Sequence, residues 1–308
     1  MQLKPFKVPG KVILSGEYAV MHGGTAVIVP AERFVTVSEC RENDEPEFTP
    51  VIKSALEFPI DEIKDYENAH GRPRLKLEYS QFFDCSNGGN HKLGIGLSAA
   101  EAVAVVEYRL KRAGLNGNNL SQKTAELAHS IHFNTQGNIG SGADVFCCAY
   151  RKPIIFCNIN GNPEVHEFNG TSGDIKIPIS LVWSGIVSNT RDMIRRFNHW
   201  LEQGDGETQR CLEIMKQAGS DLAPHWFSDN HDTFYGTFDN YMDIMRNCTK
   251  RANINYWLDE FNDLDKWARQ FGGRIKPSGA GGGDMIILIG NLPVKDLNCQ
   301  SYKIIAQS

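Results

Sequence analysis

The chain has 308 residues, 41% hydrophobic and 22% charged, with a formal net charge of −5. That is long enough for two domains around shared or separate cores, and ordinary for a globular protein. The charge excludes a general nucleic-acid binder while leaving room for a local basic pocket for a small anion. No apolar run reaches the roughly 20 residues that span a bilayer. The N-terminus has no signal-peptide apolar core, so the sequence reads as cytoplasmic with neither membrane nor nucleic-acid partner.

In chain order, residues 3 to 40 read as strands. The runs Val12–Leu14, Thr25–Val29 and Phe34–Val37 are β-branched and apolar, and Gly23-Gly24 marks a turn. Residues 41 to 75 carry no clear period. Arg74 to Tyr79 alternates as a strand does, and Asp84 to Lys92, with Ser86-Asn87-Gly88-Gly89-Asn90, has turn chemistry. A helix is expected over 98–113, with Ala100, Val103, Ala104 and Leu110 inward and Glu101, Arg109 and Arg112 toward water. Further helices are expected from a Ser121 cap to about Phe133 and from Ser141 through Tyr150. Strands follow at Ile154–Phe156 and Ile179–Trp183. The second half adds helices over 191–202, 206–218, 230–249 and 258–271 and a final strand at Met285–Ile289. A boundary falls near Gly173 to Pro178.

The eight cysteines form no CxxC pair, which points to free buried thiols in a reducing compartment. His129 and His132, three apart on an expected helix, read as one imidazole against the core and one toward water rather than as a shared metal site.

The most informative stretch is Gly94-Ile95-Gly96-Leu97-Ser98-Ala99-Ala100, followed at once by the first long helix. Glycines before a helix bring backbone close to a ligand, and the free N–H groups of the first turn, with the positive end of the dipole, suit phosphate. The loop also fits a bare G-x-G-x-x-A dinucleotide pattern. That reading fails because no strand runs into the first glycine and the region some twenty residues on, Arg112 to Asn116, lacks the acidic residue. Lys11 follows Pro9-Gly10 in a strand. Asp144 follows Gly140-Ser141-Gly142 at a helix start, where a carboxylate either serves as base or orienting group or merely complements the dipole. Residues Gly279 to Gly283, after Ser278, are five small residues in a row, more than a plain turn needs.

Together, Val8 to Val20, the central loop, Gln136 to Asp144 and Lys276 to Asp284 resemble the motifs of the GHMP small-molecule kinases over nearly the whole chain. The resemblance implies an α+β, two-domain GHMP kinase fold. Residues 1–176 would be an N-terminal domain like domain 2 of ribosomal protein S5, with the phosphate loop and catalytic aspartate. Residues 177–308 would be a ferredoxin-like C-terminal domain with the glycine-rich loop. It implies ATP and Mg²⁺ as cofactors, a small-molecule substrate, and a monomer or homodimer. Catalysis would fall to Asp144 and Lys11, and ATP phosphates to Lys92, Gly94, Ile95, Gly96, Leu97, Ser98, Ala99 and Ala100, with Mg²⁺ at Ser98. The substrate side would comprise Glu17, Tyr18, Ser141, Arg191, Ser278, Gly279, Ala280, Gly281 and Gly282.

The family pattern at the loop is Gly-Leu-Gly-Ser-Ser-Ala, so Leu97 replaces its first serine while Ser98 keeps the second. Within the superfamily, Gly16-Glu17-Tyr18-Ala19 and the run to Asp144 look most like phosphomevalonate kinases. Mevalonate kinases usually carry a histidine where Tyr18 stands and a metal-binding glutamate upstream of the aspartate. Here His132, Phe133 and Asn134 occupy that neighbourhood. Ser188-Asn189-Thr190-Arg191 is nearer the mevalonate kinase version. The expected activity is therefore transfer of the ATP γ-phosphoryl group to 5-phosphomevalonate. The alternatives are phosphorylation of the mevalonate alcohol, or a catalytically weak sensor that binds nucleotide or isoprenoid precursors.

Overall fold

The structure, a computed structural model, describes residues 3–41, 44–84, 90–166, 174–299 and 303–307. The turn expected around residues 86–89 lies outside them. In chain order the first elements are β1 (Phe6–Ser15), β2 (Ala26–Glu39), α1 (Pro50–Glu57), α2 (Lys64–His70), β3 (Leu75–Glu78), β4 (Phe83–Asp84) and β5 (His91–Lys92). There follow α3 (Leu97–Arg112), α4 (Leu120–Thr135), α5 (Ala143–Tyr150), β6 (Ile154–Ile159), β7 (Asn162–His166) and β8 (Ile179–Trp183). The chain continues through α6 (Thr190–Glu202), α7 (Gly206–Leu222), α8 (His231–Arg251), α9 (Asn262–Gln270), β9 (Arg274–Pro277), β10 (Met285–Ile289) and β11 (Lys303–Gln307).

Two compact units are interleaved along the chain. The first comprises Met1–Lys11, Val29–Asp84 and Ile95–Lys152, and the second Val12–Ile28, Cys85–Gly94 and Pro153–Ser308. Both β1 and β2 run through the two units, so they do not coincide with a single cut at residue 176.

In the first unit, α3 is the central element. Ala99 through Leu110 are all buried, and a helix without a wet face must be covered on every side. Here the structure corrects the sequence reading. Glu101 and Arg109 do not face water but are 2% and 1% exposed. The reason is the segment that showed no period. Thr49 caps α1, its hydroxyl accepting from the Ile52 N–H at 3.3 Å and donating to Glu101 Oε2 at 3.1 Å. Glu67 of α2 takes a two-pronged contact from Arg109 Nε and Nη2, both at 2.8 Å, while Arg109 Nη1 donates to Ala55 O at 2.7 Å. Segment 44–75 thus folds as two short helices over α3, and α4 and α5 cover its other flanks. In the same unit β2 pairs antiparallel with β3, Thr36 opposite Glu78.

The second unit contains two antiparallel arrays. In one, β2 pairs with β6 (Ala26 opposite Phe156) and β6 with β7. The other has strand order β11-β8-β10-β9, so the chain continues past the strand expected to be last. The wholly buried β10 and residues Val182 and Ile275 pack against Phe261, Leu264 and Ala268 of the α9 region. Tertiary packing of this kind, worth about 25 cal/mol per Å² of apolar surface, is what holds a helix as short as α9 in place. Among the described residues no helix is long and apolar enough to cross a membrane.

Candidate functional site

The loop Ile95–Gly96, which leads into α3, is pinned to β1 within the first unit. The Lys11 N–H donates to Ile95 O at 2.8 Å. The Lys11 side chain then lies across the loop: a Cβ at Gly96, whose φ is +83°, would meet Lys11 Cγ at 2.9 Å. Only glycine combines that left-handed conformation with so close a neighbour. Gly96 also precedes α3 without offering a side-chain cap, so the first-turn N–H groups have no side-chain acceptor from that position. Ile95, Leu97, Ala99 and Ala100 are buried at 7% exposure or less, which leaves their backbones rather than their side chains to a ligand. Leu97, the departure from the family pattern, is thus an apolar anchor for the helix start.

Ser98 Oγ lies 3.0 Å from His132 Nε2 on α4. His132 is 8% exposed and also bears on Asp144. Asp144 stands in the first turn of α5 just after Gly142, at which a Cβ would lie 2.6 Å from His129 Nδ1. Both histidines of α4 therefore turn toward the start of α5, and the expectation that one faces water is not met. Burial pushes the Asp144 carboxyl up, but the charges of His132 and Lys11, the Val145 N–H at 2.9 Å and His129 outweigh it. The carboxyl is held below the usual carboxylate range. Burial lowers the His129 imidazole despite the nearby Asp144 charge. Ser141 Oγ accepts the Ala143 N–H at 3.3 Å, shaping the turn before the aspartate. The first unit thus gathers Lys11, Gly96, Ser98, His132, His129 and Asp144. The histidines are the residues sequence reading missed, since an i, i+3 pair says nothing about which loop it meets.

The second unit holds the other expected residues. Glu17 does not present its carboxylate to a substrate. It is 2% exposed, with one oxygen taken by Lys276 Nζ and the other by the Tyr241 hydroxyl. Lys276 donates further to Pro277 O at 2.7 Å and Ile13 O at 3.3 Å, and Tyr241 accepts the Gly16 N–H at 2.8 Å. Tyr18 is also buried, in a γ-turn (φ 60°, ψ −55°) closed by the Ala19 N–H on Glu17 O at 2.6 Å. Its hydroxyl donates to Ala280 O at 2.6 Å, and its ring packs 4.7 Å from that of Phe197.

The Ser278–Gly282 loop is accordingly held on both sides. Ser278 N–H meets Met285 O at 2.9 Å, Gly282 N–H meets Tyr256 O at 3.1 Å, and the Ser188 hydroxyl donates to Gly281 O at 2.6 Å. Gly279 is less buried than Gly281 and Gly282. Gly94 lies against the Asp284 carboxylate, which accepts the Ser188 N–H at 3.1 Å. Lys92, on β5, and Arg191, in the first turn of α6, are exposed.

The residues fit a polyphosphate. A left-handed glycine, a helix start without a side-chain cap and a lysine stem lying across the loop bring first-turn backbone N–H groups and a cation to one place. The fit to Mg²⁺ rests on the hydroxyl of Ser98 and the nearby carboxylate of Asp144, both hard oxygen donors.

No family model and no curated protein matches the chain. Solved structures do. The fold is α+β and is the one seen in solved GHMP kinases. A Lin0012 protein from Listeria innocua superposes with TM-score 0.80 at 19% identity, covering 99% of this chain and 97% of that one. Streptococcus pneumoniae phosphomevalonate kinase in complex with phosphomevalonate and AMPPNP gives TM-score 0.77 at 15% identity, with 99% of each chain covered. The L. major mevalonate kinase with R-mevalonate gives 0.68 at 17%, covering 98% and 95%.

Proposed function

We propose that the chain is an ATP-dependent kinase of isoprenoid-precursor chemistry that transfers the γ-phosphoryl group of ATP to 5-phosphomevalonate. The observation that carries this reading is the gathering of Lys11, Gly96, Ser98 and Asp144 within one unit, with Asp144 kept ionised by the cations around it. The likeness to a kinase crystallised with phosphomevalonate and a nucleotide analogue supports the choice of acceptor. So does His132, which stands in the region where mevalonate kinases usually carry an acid.

In this reading the loop N–H groups and the start of α3 bind the nucleotide phosphates. Lys11 stabilises the charge that builds on the transferred group. The attacking atom is an oxygen of a phosphate monoester, whose second pKa is about 6, so near neutrality most of it carries no proton. Asp144 then serves chiefly to orient that oxygen and the bound cations, and only secondarily as a base. Lys92 and Arg191 would meet anionic groups of the nucleotide or acceptor. Ser98 and Asp144 would hold Mg²⁺, which would supply neutralisation of negative charge on the nucleotide phosphates. Glu17, through Lys276, and Tyr18, through its hydroxyl on Ala280 O, hold the glycine loop in place.

The test is ADP release with MgATP and phosphomevalonate, mevalonate or no acceptor. Turnover with phosphomevalonate well above both other arms supports the proposal. Mevalonate used at least as well overturns the acceptor, and nucleotide binding with no release in any arm favours a sensor.

A further inference from the structure

The hairpin of β6 and β7 carries three donor side chains that play no part in the proposed kinase chemistry. Its register places Cys157 opposite Glu164 and Ile155 opposite His166. Directly opposed residues share a face, as do residues two apart on one strand, so Cys157, Glu164 and His166 lie on one face. The Asn160-Gly161 turn, with φ of 53° and 83°, suits a tight two-residue connection and fixes that register. Cys157 Sγ donates to Glu164 Oε2 at 3.9 Å, and His166 Nε2 lies 3.7 Å from the same oxygen. The three donor atoms fall within 4.8 Å of one another.

We propose that this hairpin face is a binding site for one Zn²⁺ or similarly thiophilic divalent ion, held by Cys157 Sγ, Glu164 Oε2 and His166 Nε2. With metal–sulfur near 2.3 Å and metal–nitrogen or –oxygen near 2.0–2.1 Å, the edges of a tetrahedron are about 3.4–3.6 Å. The two spacings to Glu164 Oε2 exceed these by a few tenths of an ångström, and the third, bounded at 4.8 Å, by about 1.3 Å at most, a gap that rotation of the two exposed side chains has to close. A thiolate, an imidazole and a carboxylate together select zinc-like ions over Mg²⁺ or Ca²⁺, which want oxygen alone. Three protein ligands leave the fourth position to water.

Binding the ion displaces the thiol proton to solvent and forms the metal–thiolate bond, with no oxidation or reduction. The bound ion ties β7 to β6 at the C-terminal end of the hairpin.

The experiment uses the full chain stripped with chelator and titrated with Co²⁺, then with Zn²⁺. The expected result is a thiolate-to-cobalt charge-transfer band that saturates at one equivalent and is displaced by Zn²⁺. Cys157→Ser should abolish the band, and His166→Ala, at an exposed position, should weaken binding by at least about tenfold. Cys40→Ser should leave it unchanged. Absence of the band in the parent chain, or its survival in Cys157→Ser or undiminished in His166→Ala, overturns the site. Because the readout is metal binding alone, its outcome is independent of whether the chain is a kinase.

Discussion

Lys276 and Glu17, 259 positions apart, form an ion pair in which both side chains are at most 1% exposed. The pair adjoins the glycine loop, with Lys276 on Pro277 O, Tyr241 on the second carboxylate oxygen and the Tyr18 hydroxyl on Ala280 O. Burying a pair gains little over an apolar replacement, but breaking one strands a charge in the interior. Glu17→Gln or Lys276→Met alone should therefore cost about 3–5 kcal/mol. The double replacement Glu17→Met with Lys276→Met should cost much less than the sum. Urea midpoints across the double-mutant cycle measure the coupling; additive losses would mean that the two groups do not act as a pair.

Asp144→Asn should reduce turnover by about 10²–10⁴-fold and change nucleotide affinity little, because the carboxylate acts where charge and geometry develop in the transition state. The paired measurement is kcat beside nucleotide binding by calorimetry. Unchanged turnover removes Asp144 from the catalytic group.

His132 holds the Ser98 hydroxyl at 3.0 Å. His132→Leu removes that partner at a cost of about 1 kcal/mol, roughly fivefold in KM for MgATP. His132→Gln, which can place an amide near the same atom, should recover most of it. Equal KM values for the two variants and the parent chain would show the contact to be incidental.

Gly96→Ala places a Cβ against the Lys11 stem at a φ of +83°. The conformation alone costs about 1–2 kcal/mol, and relief requires Lys11 to move. Activity should therefore fall more steeply than thermal stability, and a variant with parental kcat would contradict the close approach.

Away from this site, burial lowers the His22 imidazole; the Asn198 contact at 3.2 Å opposes that shift and Lys216 adds to it. A base with a depressed folded pKa gives a stability contribution that is complete above the unfolded value, about 6.5, and is lost as pH falls through the folded one. Denaturant midpoints should decline with acidification below about pH 6.5, and His22→Gln should flatten that decline. An identical slope in the variant would assign it to other groups.

The parts of this molecule written in short stretches of chain were legible in advance. Gly94 to Ala100 announces a glycine turn and a helix start, and the structure begins α3 at Leu97. The strand Met285–Ile289 was likewise evident from an unbroken apolar run. What escaped was pairing over distance. Glu101 and Arg109 read as wet because charged residues usually are, and only Thr49, Ala55 and Glu67, in a segment without period, make their burial tolerable. Glu17 read as a substrate residue because nothing local discloses Lys276 and Tyr241 as its partners. The histidines of α4 met Ser98 and Gly142 through helix packing that no spacing rule encodes.

The proposed reaction makes a diphosphate from a phosphate monoester. The most direct measurement is a ³¹P spectrum of the protein with MgATP and equal amounts of phosphomevalonate and mevalonate. The expected result is a pair of mutually coupled resonances from a new diphosphate, growing with ADP as the phosphomevalonate signal declines. Growth of the phosphomevalonate resonance itself as ADP accumulates, with no diphosphate pair, would contradict it.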